Sequence, residues 1–231
     1  MQHDQDRPDI SLFLASAAHD MKNSIGMLSG TLETLLADES TKLMPAYQQM
    51  AHMLYETRRL NDNIMHLLVL YKGVGTPSYP FDPQPQELGE FVEQVEAQNR
   101  ILLDSKKITL DADFPSNLIW IFDDDLVIGV IGHAINNAIR YTRDKIRLII
   151  RPVDEFLEMR IEDNGSGYPA AMLDAGIAIK DGVDFGTGST GLGLYFSSEV
   201  AKMHRHRGRH GSVTLENGGT LGGGCFVVRL P

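Results

Sequence analysis

The sequence predicts an α+β protein: an N-terminal two-helix hairpin that forms a dimeric four-helix bundle with a second copy, followed by an α/β sandwich. Three observations predict it. Apolar residues recur in steps of three and four across residues 9 to 72, a Gly- and Pro-rich stretch occupies 72 to 86, and helical and strand-like runs alternate from there to residue 231. The expected domains are therefore 1–72, a linker at 73–86, and 87–231.

The first helix carries Ile10, Leu14, Ala17, Met21, Ile25, Leu28, Leu32 and Leu35 on one face. "ADEST" breaks the pattern as a turn, with Ser40 or Thr41 as N-cap. The second helix repeats the stripe with Tyr47, Met50, Leu54, Leu60, Ile64, Leu67 and Tyr71. Two helices alone cannot bury two such stripes well, so a homodimer is expected. Beyond the linker the spacing predicts a helix over about 87–104 and strands near 107–112 and 118–122. "DDD" (123 to 125) supplies N-cap acids for a helix running to about 141. "IRLIIRPV" and "FLEMRIED" read as paired strands, a helix follows over about 191–204, and "SVTLEN" and "CFVVRLP" close the chain as strands. Helices over one face of a mixed sheet satisfy this order.

Composition narrows the function classes. Of 231 residues, 42% are apolar, enough for a real core, and no apolar run approaches the roughly 18 to 20 residues of a membrane span. The opening "MQHDQDRPDI" has no signal-peptide core, and the single Cys225 excludes an internal disulfide. Both suit the cytoplasm. Twenty-one basic against 31 acidic residues leave a charge of −10, which argues against nucleic-acid binding.

Three stretches carry chemistry. "DNGSGYP" (163 to 169) and "GTGSTGLGLYF" (186 to 196) put glycines at 165, 167, 186, 188, 191 and 193, where a backbone can approach a ligand closely. Thr190, Gly191, Leu192 and Gly193 directly precede a helix, so their N–H groups and the helix dipole suit an anion; a surface turn would use the same glycines. The spacing fits neither a Rossmann fingerprint nor a P-loop. In "HAINNAIRYT" (133 to 142), His133, Asn137 and Arg140 share one helical face. An amide oxygen there suits Mg²⁺ beside phosphate oxygens; a polar helix edge would look the same. In "HDMKN", His19 points away from the apolar stripe with Asn23 on the same face.

Taken in this order, "HAINNAIRYT", "DNGSGYP", "GTGSTGLGL" and the closing "GSVTLENGGTLGGGCFVVRLP" resemble the N, G1 and G2 boxes and final hairpin of the GHKL (Bergerat-type) ATPase superfamily. With His19 on a preceding hairpin, the layout resembles that of sensor histidine kinases. The resemblance implies ATP and Mg²⁺ as cofactors. Asn137 would hold the metal, Asp163 would accept a hydrogen bond from the adenine amino group, and Tyr141 would lie against the nucleotide. Gly165 and Gly167 would hinge the lid; Gly191, Leu192 and Gly193, with Thr190 beside them, would cradle the phosphates, and Arg140 would supply charge. His19 would be the phosphoacceptor, Asp20 would orient its ring, and Asn23 would position a water for dephosphorylation of a partner. That partner would be a response-regulator receiver domain, with sensory input arriving through another protein or through the bundle.

Some positions depart from the family pattern. His133 stands where many kinases have Asn, and reads as a general base, a partner of the Mg²⁺ site or a structural residue. Arg140 replaces the usual Lys. The lid between Gly167 and Gly186 is short, and Phe185 is its one phenylalanine. "HRHRGRH" (204 to 210) reads as a solvated basic loop, with zinc binding by His204, His206 and His210 as the alternative. Two other functions compete with an autokinase: a phosphorelay adaptor with a degenerate nucleotide domain, and a GHKL hydrolase or serine kinase of another kind.

Overall fold

A computed structural model describes residues 10–72, 81–175 and 192–231. The chain divides into two compact units, Met1–Pro80 and Phe81–Pro231.

The first unit consists of α1 (Ile10–Ala37), α2 (Glu39–Lys42) and α3 (Tyr47–Lys72), with α1 and α3 packed on each other. The turn is capped by Asp38, not by Ser40 or Thr41: its Oδ1 accepts from the Ser40 N–H at 2.8 Å and the Ser40 hydroxyl at 2.7 Å. One carboxylate oxygen takes both donors because it only accepts and offers more than one lone pair. Leu36, Ala51 and Leu54 are buried between the helices, and Arg58 pairs with Glu33 at 2.8 Å. The apolar faces are split. Met21, Leu28, Leu35 and Leu60, expected on the buried stripes, are each about half exposed or more. One neighbouring helix covers a narrower arc than the stripe each helix presents, so the remainder faces outward.

The second unit opens with β1 (Gln84–Glu87), which pairs antiparallel with β3 (Ile119–Phe122) as a separate ribbon. Three residues expected in the linker, Gln84–Gln86, are thus strand, as is Glu87, expected to open the helix; Pro85 is tolerated because a two-stranded ribbon is all edge. Helix α4 (Leu88–Lys106) ends at Lys107, which turns left-handed at φ 56°. The main sheet has the order β2 (Thr109–Asp113), β4 (Lys145–Val153), β5 (Phe156–Asp163), β9 (Gly223–Leu230), β8 (Ser212–Gly218). β2 and β4 run parallel, and the other pairs are antiparallel. Helices α5 (Asp124–Tyr141) and α7 (Leu192–Met203) pack with α4 over this sheet, and α6 (Ala170–Ala175) is a short addition.

The core forms where alternate strand residues meet these helices. Ile146, Leu148 and Ile150 on β4, Leu157, Met159 and Ile161 on β5, and Phe226, Val228 and Leu230 on β9 are buried. They meet α5 through Val127, Val130, Ile131, Ala134 and Ile135. On the opposite sheet face Arg160 sits among Glu158, Glu162 and Glu216, and Arg229 binds Glu158 at 2.7 Å. Burial there pushes the Cys225 thiol up to about 12, which leaves it unreactive.

The basic run is not a loop. Arg205–His206 and Arg209–His210 are paired as β6 and β7 around a turn at Arg207 and Gly208, both at positive φ. His204 is 3% exposed, with Nε2 accepting the Asp123 N–H at 3.0 Å and Nδ1 2.8 Å from the Val200 carbonyl. It is held in the core, so it cannot join the exposed His206 and His210 around a zinc ion, and no metal-binding cluster occurs among the described residues.

Candidate functional site

Helix α5 starts under an acid cap and ends beside the site. Asp123 accepts from the Leu126 N–H at 3.1 Å with one oxygen and from the Asp82 N–H at 2.9 Å with the other. Three to four turns on, α5 presents His133 and Asn137 together: Nδ2 of Asn137 lies 2.9 Å from Nε2 of His133. Desolvation drives the His133 imidazole down to about 4, so it is neutral at physiological pH. Arg140 is exposed and its guanidinium stands 5.4 Å from the ring centre of the half-exposed Tyr141.

Asp163 ends β5 on the core face of the sheet, opposite Ile146, and is buried. Its Oδ1 accepts the Gly165 N–H at 2.6 Å; among the described residues its Oδ2 has no hydrogen-bond partner. Glycines surround it. A Cβ on Gly224 would stand 2.8 Å from Oδ2, one on Gly223 would strike the Asp163 backbone, and one on Gly165 would overlap the Tyr141 carbonyl. The carboxylate of a largely buried residue, with one oxygen left without a donor among the described residues and bare glycine backbone beside it, suits an incoming N–H group. Gly193, in the first turn of α7, lies against the His133 ring.

Two residues that sequence reasoning missed hold this frame. Asn164 Oδ1 accepts from the Thr142 hydroxyl at 2.8 Å and from the N–H groups of Arg143, Asp144 and Lys145, and its Nδ2 donates to Asp144. It therefore ties the end of α5 to the start of β4 next to Asp163. Asn217 on β8 accepts the Tyr168 N–H at 2.7 Å and donates to the Tyr168 carbonyl, fixing the turn in which Gly167 takes φ 79°. The signal for Asn164 was its place before Gly165 in "DNG"; nothing local to Asn217 marks its role.

The sequence-predicted residues thus fall into three sets. Asn137, Tyr141, Asp163, Gly165, Gly167 and Gly193 belong to the second unit, gathered around the ends of α5 and β5 and the start of α7. Thr190 and Gly191 lie outside the described residues, and Leu192 begins α7. His19, Asp20 and Asn23 belong to α1 in the first unit, where Asp20 and Asn23 are exposed. The residues of the second unit fit a Mg²⁺–nucleotide: Asn137 has its amide nitrogen engaged by His133, and among the described residues Asp163 leaves one oxygen as an unclaimed acceptor.

Fold and site together define a nucleotide-binding ATPase domain of the GHKL type. Residues 122–231 match the family of histidine kinase-, DNA gyrase B-, and HSP90-like ATPases. The chain is 26% identical over 229 residues to the sensor-like histidine kinase SenX3 of Mycolicibacterium smegmatis, covering 95% of this chain and 56% of that protein. It is 23% identical over 226 residues to the sensor protein SrrB of Staphylococcus aureus, covering 95% of this chain and 37% of SrrB. It therefore spans between about a third and just over half of these relatives. The Acinetobacter baumannii histidine kinase AdeS has a similar fold, with TM-score 0.58 and 20% identity over 92% of this chain and 96% of AdeS. Full-length ShkA in complex with AMPPNP gives TM-score 0.59 and 20% identity over 94% of this chain and 45% of ShkA. Residues 122–231 thus carry a GHKL-type ATPase domain, and the chain as a whole is similar to the core of sensor histidine kinases.

Proposed function

We propose that this chain is a cytoplasmic, ATP-dependent protein-histidine kinase of a two-component system, working as a homodimer with His19 as phosphoacceptor. The observation that supports ATP binding most is Asp163, a buried carboxylate with one oxygen unclaimed inside a ring of glycines. Its Oδ2 takes the adenine amino hydrogen, a neutral-donor contact that discriminates against a base with a carbonyl there. Tyr141 offers a half-exposed ring for the base to lie against. Mg²⁺ held by Asn137 Oδ1 and the phosphate oxygens would neutralise charge on the transferring group.

Phosphoryl transfer requires that a neutral imidazole nitrogen of His19 attack the γ-phosphorus. A nitrogen–phosphorus bond forms, the bond from that phosphorus to the bridging oxygen breaks, and ADP leaves. Asp20, next in sequence, takes or steadies the proton on the other ring nitrogen. The phosphoryl group then passes to an aspartate of a receiver domain. Asn23, one turn along the same helix, positions water in the reverse function, hydrolysis of the partner's phosphoaspartate.

Incubation of the chain with Mg²⁺ and γ-labelled ATP, beside His19→Gln, tests this. Acid-labile, base-stable label in the wild type and none in the variant is expected, with equal ATP binding by both. ATP binding without label moves the assignment to a relay adaptor; hydrolysis that survives His19→Gln moves it to another kind of GHKL ATPase.

A further inference from the structure

We propose that His133 is a positioning residue: its ring ties the Asn137 amide to the first turn of α7, so that the two sides of the site are set together. The part of this that concerns the metal rests on the reading of Asn137 given above.

Two contacts carry the inference. The first is the 2.9 Å approach of Asn137 Nδ2 to His133 Nε2. An amide nitrogen can only donate, so Nε2 accepts and the imidazole proton resides on Nδ1. The amide has two faces of similar shape, and this bond chooses between them. With Nδ2 turned to the ring, Oδ1 is the atom left for a hard cation. The lone pair that a general base would use is occupied by Asn137, which argues for positioning over proton abstraction.

The second contact is with Gly193. A Cβ built there would run into Cε1, Nε2 and Nδ1 of the same ring. The obstruction is a five-membered ring held at one edge by Asn137, and the glycine backbone is also held, since its carbonyl accepts the Ser197 hydroxyl at 2.8 Å. A glycine inside a helix is ordinarily a weak choice. Here the imidazole takes the volume that a side chain would need. Residues 133 and 193 therefore constrain one another: histidine on α5 demands glycine on α7, and a smaller residue at 133 would release that demand.

The chain and four variants test both halves. Without any nucleotide, Gly193→Ala should lower the melting temperature by about 5 °C in the wild-type background. In a His133→Ala background the same change should cost little or raise it. Equal shifts in both backgrounds overturn the interlock. Titration calorimetry with ATP, in Mg²⁺ and in EDTA, tests the positioning. His133→Ala should weaken the Mg²⁺-dependent part of binding about 10- to 100-fold and leave binding in EDTA unchanged. His133→Gln, which carries an acceptor to about the same reach as Nε2, should restore it. Equal Mg²⁺ dependence in the wild type and His133→Ala overturns the positioning role. A wild-type chain that binds no ATP in either buffer overturns the ATP reading and with it the metal half, while the melting temperatures still decide the interlock.

Discussion

The two units treat their apolar residues in opposite ways. In the second, alternate residues of β4, β5 and β9 are closed over by helices, and among the described residues its large exposed apolar side chains are Ile119, Ile121 and Tyr141. In the first, Met21, Met27, Leu28, Leu35, Met53 and Leu60 stay exposed, while Leu36, Ala51 and Leu54 are buried. A sheet with three helices can enclose a core; two helices share a single line of contact. The hairpin has a face left to cover, and a second copy would cover it with the same residues.

The comparison can be broken most forcefully at that face. Leu28→Lys together with Leu35→Lys should abolish dimerisation, because each leucine buried on association contributes about 1.5 to 3 kcal/mol and the pair occurs twice. Sedimentation velocity would read a monomer, with ATP binding unchanged; a variant that stays dimeric refutes the expected interface.

The next effect belongs to the other unit. Asp163→Asn keeps an oxygen for the Gly165 N–H but replaces the unclaimed acceptor with a donor. ATP affinity should fall about 100-fold while the dimer persists, as read by calorimetry and sedimentation on one sample.

A smaller effect sharpens how the second unit is fastened. Burial lowers the pKa of His204, against opposing contributions from the Val200 carbonyl and Asp123. The folded state therefore holds it neutral, whereas the unfolded chain takes up a proton near pH 6.5. Stability from this group is fully present above about pH 6.5 and is lost as pH falls toward the depressed folded value, at no more than about 1.4 kcal/mol per pH unit. His204→Gln, which can still accept from Asp123, should flatten that part of the pH dependence of the melting temperature. A slope identical to wild type would show that His204 does not carry it.

Much of this was legible in the chain because it is local. The Asp123 cap, the alternation "IRLIIRPV" and "FLEMRIED", and the glycines of "DNGSGYP" each announce themselves within a few residues. What escaped depends on partners far along the chain. Residues 84–86 read as linker because "PQPQ" has no strand pattern, yet with Glu87 they become a strand because Ile119–Phe122 offers an edge. The run "HRHRGRH" looks uniformly basic and solvated, yet His204 is buried because a donor 81 positions earlier, the Asp123 N–H, needs its nitrogen.

By itself, the sequence determined the class of most segments and the identity of the chemical groups, since periodicity, capping and glycine spacing act over one or two turns. The tertiary structure decided what those groups do to each other. The apolar stripe of α1 divided into a covered and an open side because one helix is a narrow partner. Asp163 acquired one satisfied and one unclaimed oxygen because glycines from β9 pass beside it. His133, which the sequence left between base, metal partner and structural residue, met Asn137 on its own helix and Gly193 on another. That meeting requires the folded chain, for no local rule brings position 193 to position 133.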